Sequence, residues 1–196
     1  MTSTLLVGDS QVAGPPGRLL AGLLAGRGPV ERLGRVGRGA VSYALPGSPE
    51  RAELVEGLAT RPDRVVYLFG INDPPGPRTE DALRRLRALG RQASPGPVWL
   101  VGPPAYPLDE HDAHSAALAV LGSRVFGANF VDSRRLTTRD RDDRTLDRVH
   151  FTEAGALPWA RSVASILDRG NALAALAVGT VSSLVIGKLW RDVFGG

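Results

Sequence analysis

The sequence predicts an α/β protein built on a doubly wound parallel sheet. Short runs of leucine, valine and aromatic residues alternate along the chain with segments of helical character. The clearest runs are Thr4–Val7, Arg64–Phe69 and Val98–Val101, and each is followed directly by glycine. Regular alternation of strand and helix is typical of parallel strands joined by helical crossovers. With 196 residues the chain is long enough for one such domain with its own core.

The first half of the chain supplies three strands and two helices. Residues 18–25 have helical character after the first strand, and a second strand is expected over residues 30–36. Ser48 and Pro49 then form a strong helix start, in which a capping side chain precedes proline at the first helical position. This helix is expected to run to about Ala59, before the third strand.

The second half continues the same alternation. Thr79 is expected to cap a helix through about Gln92, and Thr152 is expected to cap the last helix of the domain. Between them we expect a strand, a helix with an acidic first turn and a last strand at residues 129–132. Residues 134–144 alternate in charge, which indicates a solvated loop.

The composition excludes several kinds of chemistry. The chain contains no cysteine, so disulfides, a thiolate nucleophile and cysteine-ligated zinc are excluded. The net charge is +4, but the arginines are spread among acidic residues and Lys188 is the only lysine. This pattern is typical of biased genome composition rather than of a phosphate-binding surface, so no nucleic-acid partner is expected. No secretory signal is visible, and a cytoplasmic location is the default expectation.

Residues 109–114 gather three acids and two histidines, a composition that metal sites share. Acidic residues also favour the positive end of a helix dipole. Because His111 and His114 lead directly into an alanine-rich helical segment, we expect a helix start here, with no metal or other cofactor.

Polar residues follow two of the predicted strands, and a third polar cluster lies near residue 150. Gly8-Asp9-Ser10 ends the first strand, and Gly70-Ile71-Asn72-Asp73 ends the strand Arg64–Phe69. The carboxyl ends of parallel strands meet at one edge of the sheet, where open α/β proteins bind ligands. The third cluster is Asp147-Arg148-Val149-His150.

Together the clusters contain the groups that serine catalysis needs. Ser10 is a weak nucleophile unless a base takes its proton, and an imidazole base needs a carboxylate to fix its tautomer. Asp147 and His150 are three residues apart, so on a turn or a helix start the carboxylate can meet Nδ1. The backbone N–H groups of Ser10 and Gly39, with the side-chain amide of Asn72, are candidate donors to an oxyanion.

These segments resemble the four sequence blocks of the SGNH hydrolases, also called the GDSL esterases and lipases. The blocks are Gly8-Asp9-Ser10, Gly39 within residues 37–42, Gly70-Ile71-Asn72-Asp73 and Asp147-Arg148-Val149-His150. The resemblance covers residues 1–168 and implies a three-layer α/β/α fold with five parallel strands. It also implies Ser10 as nucleophile, His150 as base, Asp147 as its orienting carboxylate, and Gly39 with Asn72 as oxyanion donors.

Two positions qualify the resemblance. Gly37 could supply the oxyanion donor instead of Gly39, because both lie in one glycine-rich segment. Phe151 stands where the family often has proline, which should alter a wall of the site without touching the chemistry. The Gly-x-Ser-x-Gly elbow of the α/β-hydrolases is absent from the sequence.

The expected function is that of a serine esterase, acting through an acyl-enzyme on Ser10. No long apolar lid segment is visible, which favours small acyl groups such as acetyl, including acetyl esters of carbohydrates. A lysophospholipase or thioesterase is the alternative within the family. A non-catalytic binding or assembly protein on the same fold is the alternative outside it.

Residues 169–196 are expected to form an apolar helical tail beyond the hydrolase domain at residues 1–168. No residue from Gly170 to Gly187 is charged, and small residues recur every four positions. These small residues are Ala175, Gly179, Ser183 and Gly187. Such a stripe favours close helix packing, within a homo-oligomer or on the domain. Weak membrane association and disorder are the alternatives. The segment falls short of the roughly 20 apolar residues that crossing a bilayer requires.

Overall fold

The computed structural model describes residues 1–137, 139–140 and 143–170. These residues contain five strands, which form one sheet in which every strand is parallel to its neighbours. The strands are β1 (Thr4–Gly8), β2 (Val30–Gly34), β3 (Arg64–Leu68), β4 (Val98–Val101) and β5 (Phe130–Val131). Their order across the sheet is β2-β1-β3-β4-β5, so the expected doubly wound parallel sheet is confirmed.

Helices cover both faces of the sheet and complete a three-layer α/β/α fold. They are α1 (Ser10–Ala13), α2 (Pro15–Ala25), α3 (Ala40–Ala44), α4 (Pro49–Ala59), α5 (Pro77–Ala93), α6 (Asp109–Phe126) and a helix over residues 153–170, called α7. Alternate residues of β1 point to opposite faces. Leu5 and Val7 pack in one buried cluster with α3, α4, α5 and α6. Leu6 packs in the other, with α1, α2 and α7.

The chain reverses its direction across the sheet between β1 and β3. It first moves from β1 to β2 at one edge, then returns to place β3 on the other side of β1. The loops that follow β1 and β3 therefore leave the sheet as neighbours at its carboxyl edge, and ligands of doubly wound folds bind at such a switch point. The register sets Gly8 beside Leu68, so the two strands end level with each other.

Helix boundaries follow local capping chemistry. The Ser48 hydroxyl accepts a hydrogen bond from the Arg51 N–H at 3.1 Å, and α4 ends at Ala59 as expected. The Thr152 hydroxyl likewise accepts from the Gly155 N–H, at 3.1 Å. The cap expected at Thr79 is wrong.

Helix α5 begins at Pro77, two residues before Thr79. Proline needs no N–H partner and has its φ already fixed for a helix, so it begins α5 without a capping side chain. Thr79 lies inside the first turn, where its buried hydroxyl donates to the Pro74 carbonyl at 2.6 Å.

Two short helices at the carboxyl edge, α1 and α3, are absent from the sequence-based expectations. They have four and five residues, too few for a hydrophobic period to be recognised. The solvated loop expected at residues 134–144 is also wrong at its end, because Arg144 is buried. Residues 133–136 form a 3₁₀ turn, and residues 138, 141 and 142 lie outside the described part of the chain.

The expected apolar tail lies almost entirely outside the described residues, which end at residue 170. Residues 169 and 170 continue α7. Within residues 1–137, 139–140 and 143–170, every helix is too short or too polar to cross a bilayer.

Candidate active site

Ser10 is the first residue of α1, directly beyond the carboxyl end of β1. Asp9 caps this helix, since its carboxylate accepts a hydrogen bond from the Gln11 N–H at 2.8 Å. Ser10 is half-buried. Within the described part of the chain, neither its hydroxyl nor its N–H forms a hydrogen bond. The hydroxyl and one backbone donor of the same residue are therefore available to a ligand.

The Asp9 carboxylate ties the end of β1 to the loop after β3. It is fully buried and accepts hydrogen bonds from the Gly70 N–H at 2.6 Å and from Asn72 Nδ2 at 2.8 Å, in addition to Gln11. Complete burial raises the pKa of Asp9 to about 6, although these three hydrogen bonds act in the opposite direction. Asn72 is thus held beside Ser10 by the residue that precedes Ser10 in the chain.

Gly39 lies at the start of α3, close to the ends of β1 and β2. Tyr43 of α3 fixes this position, because its hydroxyl lies 2.8 Å from the Gly8 carbonyl and 3.2 Å from the Leu33 carbonyl. The N–H of Gly39 donates no hydrogen bond to any described residue. Like the N–H of Ser10, it is free to serve a ligand.

Asp73 explains why residue 39 is glycine. Its carboxylate accepts the Val41 N–H at 3.2 Å, and a Cβ added to Gly39 would collide with that carboxylate. Burial raises the pKa of Asp73, while the N–H groups of Val41 and Ala40 act against this. Gly37, in contrast, is exposed, has a φ of +71° and would have open space around a Cβ.

Asp147 and His150 form a hydrogen-bonded pair. The His150 Nδ1 lies 2.6 Å from the Asp147 Oδ2, and the other carboxylate oxygen accepts the N–H groups of Val149 at 2.8 Å and His150 at 3.0 Å. The Thr145 hydroxyl adds a fourth hydrogen bond, at 2.7 Å. Desolvation raises the pKa of Asp147, but these four hydrogen bonds outweigh it and hold the pKa well below the ordinary value of a carboxyl group.

The turn that carries this pair is tight. Arg148, between the two residues, has a φ of +59°, a left-handed conformation that is uncommon for a side chain other than glycine. Its N–H donates to the Thr145 carbonyl at 2.8 Å, which closes the turn. About two fifths of the His150 side chain and half of the Asp147 side chain are exposed, so the pair faces solvent.

The residues that follow His150 in the chain are anchored on the same face of the sheet as the start of α1. Phe151 is buried in one hydrophobic cluster with Val12, which lies two residues after Ser10. At the surface above that cluster, Glu153 of α7 forms an ion pair with Arg18 of α2 at 2.9 Å. The structure thus brings Ser10, Asn72 and Gly39 to the carboxyl edge of the sheet. The turn that carries Asp147 and His150 is anchored through Phe151 in the hydrophobic cluster that also contains Val12 of α1.

The acid-rich segment at residues 109–114 is the first turn of α6, as its sequence indicates. Asp112 is paired with Arg134 at 3.0 Å, Asp109 is paired with Arg139, and His114 Nε2 donates to the Asp73 carbonyl at 2.7 Å. These side chains are directed to separate partners. No group of three acids or histidines that could hold a metal ion occurs among the described residues.

Sequence reasoning missed the roles of Asp9, Tyr43 and Asp73. A signal existed for Asp9, because aspartate directly before the first residue of a helix is a preferred cap. Tyr43 and Asp73 carry no local signal, because α3 is too short to be recognised in the sequence and their hydrogen bonds to Gly8 and Val41 span 35 and 32 residues.

Comparisons with known proteins agree with the geometry. A family model described as the GDSL-like lipase/acylhydrolase family matches residues 6–156. Among solved structures, a protein assigned to the SGNH hydrolases from Slackia heliotrinireducens is 20% identical, with a TM-score of 0.65 and with 85% of this chain and 98% of that chain covered. No protein with a curated description matches the sequence.

Two carbohydrate-active enzymes are also similar in fold. A family two carbohydrate esterase from Cellvibrio japonicus is 16% identical with a TM-score of 0.57, over 86% of this chain and 62% of that one. A two-domain esterase active on acetylated mannans is 16% identical with a TM-score of 0.54, over 87% of this chain and 50% of that one. At these identities the likeness is one of fold.

Proposed function

Because this chain belongs to the GDSL-like lipase/acylhydrolase family, whose members are hydrolases, we propose that it is a serine esterase acting through an acyl-enzyme on Ser10. The observation that carries the proposal is the hydrogen bond between Asp147 Oδ2 and His150 Nδ1 at 2.6 Å. With its Nδ1 held in this way, the imidazole presents Nε2 as the base. Nε2 forms no hydrogen bond with the described residues, so it is free to receive a proton.

The proposed reaction has two halves. In the first, the Ser10 hydroxyl attacks the ester carbonyl while its proton passes to His150 Nε2. The tetrahedral intermediate then collapses, the C–O bond of the ester breaks, and the leaving alcohol takes the proton from His150. In the second half, water attacks the acyl-enzyme with its proton passing to His150, and the acid leaves as Ser10 regains its hydrogen. No cofactor enters either half.

Three donors are proposed to stabilise the oxyanion: the N–H groups of Ser10 and Gly39 and the Nδ2 of Asn72. We assign the second donor to Gly39 rather than Gly37, because Gly39 is buried at the start of α3 and its N–H has no described partner. The Tyr43 hydrogen bonds hold α3 against the ends of β1 and β2. Donors fixed before the reaction cost no reorganisation during it, which is why such a group contributes strongly to the rate.

Acetyl esters are the proposed substrates. A narrow apolar cleft borders the Gly39 and Asn72 segments, lined in part by Ala40, Phe69 and Gly70. It has room for about one water-sized group, which suits the methyl of an acetyl group better than a long acyl chain. Among the structures of similar fold, one is an esterase active on acetylated mannans, and this supports acetylated carbohydrate as the natural alcohol.

The test is the hydrolysis of p-nitrophenyl esters of increasing chain length by wild type, Ser10→Ala and Ser123→Ala. Ser123 is exposed on α6 and serves as the matched serine control. We expect acetate to be hydrolysed fastest, Ser123→Ala to match wild type, and Ser10→Ala to lose nearly all turnover. Activity retained by Ser10→Ala would refute the serine mechanism, and faster hydrolysis of long-chain esters would refute the acetyl assignment.

A further inference from the structure

Arg144 is a buried cation in a segment whose sequence indicates a solvated loop. Only 5% of the residue is exposed. Its guanidinium carbon lies 3.6 Å from the centre of the Phe151 ring and 5.1 Å from the centre of the Tyr106 ring. Desolvation lowers the pKa of Arg144 to about 10, so the group still carries its charge at neutral pH. A buried charge is costly unless it is well paired, and here two aromatic faces contribute to that pairing.

The guanidinium also joins two separate loops by hydrogen bonds. One nitrogen, Nη1, donates to the Val149 carbonyl at 2.9 Å. The other, Nη2, donates to the Ala105 carbonyl at 2.5 Å. Ala105 and Tyr106 lie in the loop that follows β4. Arg144 therefore contacts the residues on both sides of His150, Val149 before it and Phe151 after it, and ties them to the loop after β4.

The segment between residues 143 and 152 is a closed loop with Arg144 at its base. Arg144 and Phe151 form an antiparallel bridge. Around that bridge, the Thr145 N–H donates to the His150 carbonyl at 2.8 Å and the Thr152 N–H donates to the Asp143 carbonyl at 3.0 Å. Asp147 and His150 lie within this loop, so any shift at its base is transmitted to them.

Tyr106 connects the same contact to the other half of the site. The Tyr106 hydroxyl and the Asp9 carboxylate both lie beside Gly70. A Cβ placed on Gly70 would be 3.5 Å from the Tyr106 hydroxyl oxygen and 3.1 Å from the Asp9 Oδ2. Tyr106 is fully buried there. The ring of Tyr106 thus contacts the Arg144 guanidinium. Its hydroxyl lies near the Asp9 carboxylate, which accepts a hydrogen bond from Asn72 and caps α1, the helix that begins at Ser10.

We propose that Arg144 is a positioning residue that fixes the Asp147–His150 loop relative to Ser10. It does so by joining two residues of that loop, Val149 and Phe151, to Ala105 and Tyr106 in the loop that follows β4. The proposal rests on the serine esterase function proposed above. Arginine suits this position because its planar group can stack on rings and donate from two nitrogens at once, whereas the lysine ammonium is a point charge. A displacement of about 1 Å in a catalytic group can cost on the order of 100-fold in rate, so the loop needs such a clamp.

The test compares Arg144→Met and Arg144→Lys with Arg64→Met. Arg64 is a matched control, because it is also fully buried but lies at the amino end of β3, where it donates to Thr4 Oγ1 at 3.1 Å. We expect both Arg144 variants to lower kcat for p-nitrophenyl acetate by about 10- to 100-fold, with KM changed by less than about threefold. Arg64→Met should lower the melting temperature but leave the kcat of the folded enzyme near wild type.

A second readout does not depend on activity. In wild type the Asp147–His150 hydrogen bond should give a proton NMR signal of His150 Nδ1–H far downfield, identified by its loss in Asp147→Asn. That signal should broaden or disappear in Arg144→Lys and persist in Arg64→Met. If wild type itself hydrolyses no ester, the proposed function fails, yet this signal still decides the positioning role.

The proposal is overturned if folded Arg144→Met or Arg144→Lys keeps kcat within about twofold of wild type, or if Arg64→Met loses kcat to the same extent. It is also overturned if the His150 signal is unchanged in folded Arg144→Lys. Should Arg144→Met fail to fold, the Lys variant supplies both measurements, because it retains the charge and loses only the stacking and the paired donors.

Discussion

Two of the three proposed oxyanion donors, Asn72 and Gly39, lie in segments that a carboxylate from another part of the chain holds in place. Asp9, after β1, accepts the Asn72 amide at 2.8 Å, and Asp73, after β3, accepts the Val41 N–H in the first turn of α3 at 3.2 Å. Hydrogen bonds to an ionised acceptor are roughly twice as strong as neutral ones, so these contacts fix direction as well as distance. Asp9, next to Ser10 in the chain, and Asp73, next to Asn72, thus orient the segments that carry the proposed donors.

Replacing Asn72 by alanine is expected to lower kcat by about 100- to 1000-fold, the loss found when one oxyanion donor is removed. Steady-state kinetics with p-nitrophenyl acetate measure this effect. Because the variant also loses the hydrogen bond to the buried Asp9 carboxylate, its melting temperature should fall, and kcat is therefore compared for the folded proteins. The control is Asn129→Ala, whose amide donates to the Val98 carbonyl at the amino end of β4 and should leave kcat unchanged. Equal kcat in Asn72→Ala and wild type would remove Asn72 from the mechanism.

At the scale of elements, α3 places Gly39, a proposed oxyanion donor, at the carboxyl edge of the sheet. It has only five residues and little helical stability of its own, so its position depends on tertiary contacts. The Tyr43 hydroxyl supplies one such contact, to carbonyl groups of both β1 and β2. The direction of the Gly39 N–H, at the start of α3, therefore depends on how α3 is held against β1 and β2.

Tyr43→Phe tests this dependence against Tyr67→Phe. Both hydroxyls are buried, and that of Tyr67 donates to the Leu86 carbonyl at 2.9 Å, away from Gly39. Each variant should lower the free energy of unfolding by about 1–2 kcal/mol, the usual cost of a lost buried hydrogen bond. Only Tyr43→Phe should also lower kcat. Parallel urea unfolding and kinetics separate the two effects, and equal kcat in the two variants would contradict the role assigned to α3.

How much the sequence predicts depends on the range of the interaction. The buried strands Arg64–Leu68 and Val98–Val101 and the Ser48 cap follow from local patterns, and they appear as expected. Arg144 shows the limit, because alternating charge around it indicates solvent exposure. Its burial depends in part on Tyr106, 38 positions earlier in the chain, and no local pattern contains that contact.

The site residues divide in the same way. The Asp147–His150 contact is local and follows from their spacing of three. The hydrogen bonds of Asp9 and Asp73 each join segments that follow two different strands. Those strand ends are known to be neighbours only once the order of the strands in the sheet is known. Sequence patterns therefore supply the reacting groups more readily than the groups that orient them.

At the scale of the whole molecule, buried acids at the carboxyl edge make stability depend on pH. The folded state raises the pKa of Asp9 from 3.8 to about 6, so between about pH 4 and pH 6 the folded protein holds a proton that the unfolded chain has released. Stability attributable to Asp9 must then fall as the pH rises through this window. Asp147 has a lowered pKa and acts in the opposite direction, because its contribution is lost as the pH falls below 3.8.

The asparagine side chain in Asp9→Asn is neutral at every pH, so the stability of this variant lacks the pH dependence that Asp9 contributes. The difference in unfolding free energy between wild type and this variant should shift by about 2 kcal/mol between pH 4 and pH 7, with wild type relatively more stable at pH 4. Urea unfolding of both proteins at the two pH values measures the shift. As a control, Asp63→Asn removes a carboxyl whose pKa is lowered below 3.8 by hydrogen bonds from Ser3, so its difference from wild type should change little between pH 4 and pH 7 and should shrink only as the pH falls below 3.8. Parallel curves for wild type and Asp9→Asn would contradict the burial of an ionisable Asp9.

The measurement that tests the central claim most directly is the intact mass and peptide map of the enzyme, quenched by acid during turnover of p-nitrophenyl acetate. The proposed mechanism requires one acetyl group on the peptide that contains Ser10, formed within the first turnover and absent from Ser10→Ala. An acetyl group on another residue, or turnover by Ser10→Ala, would contradict it.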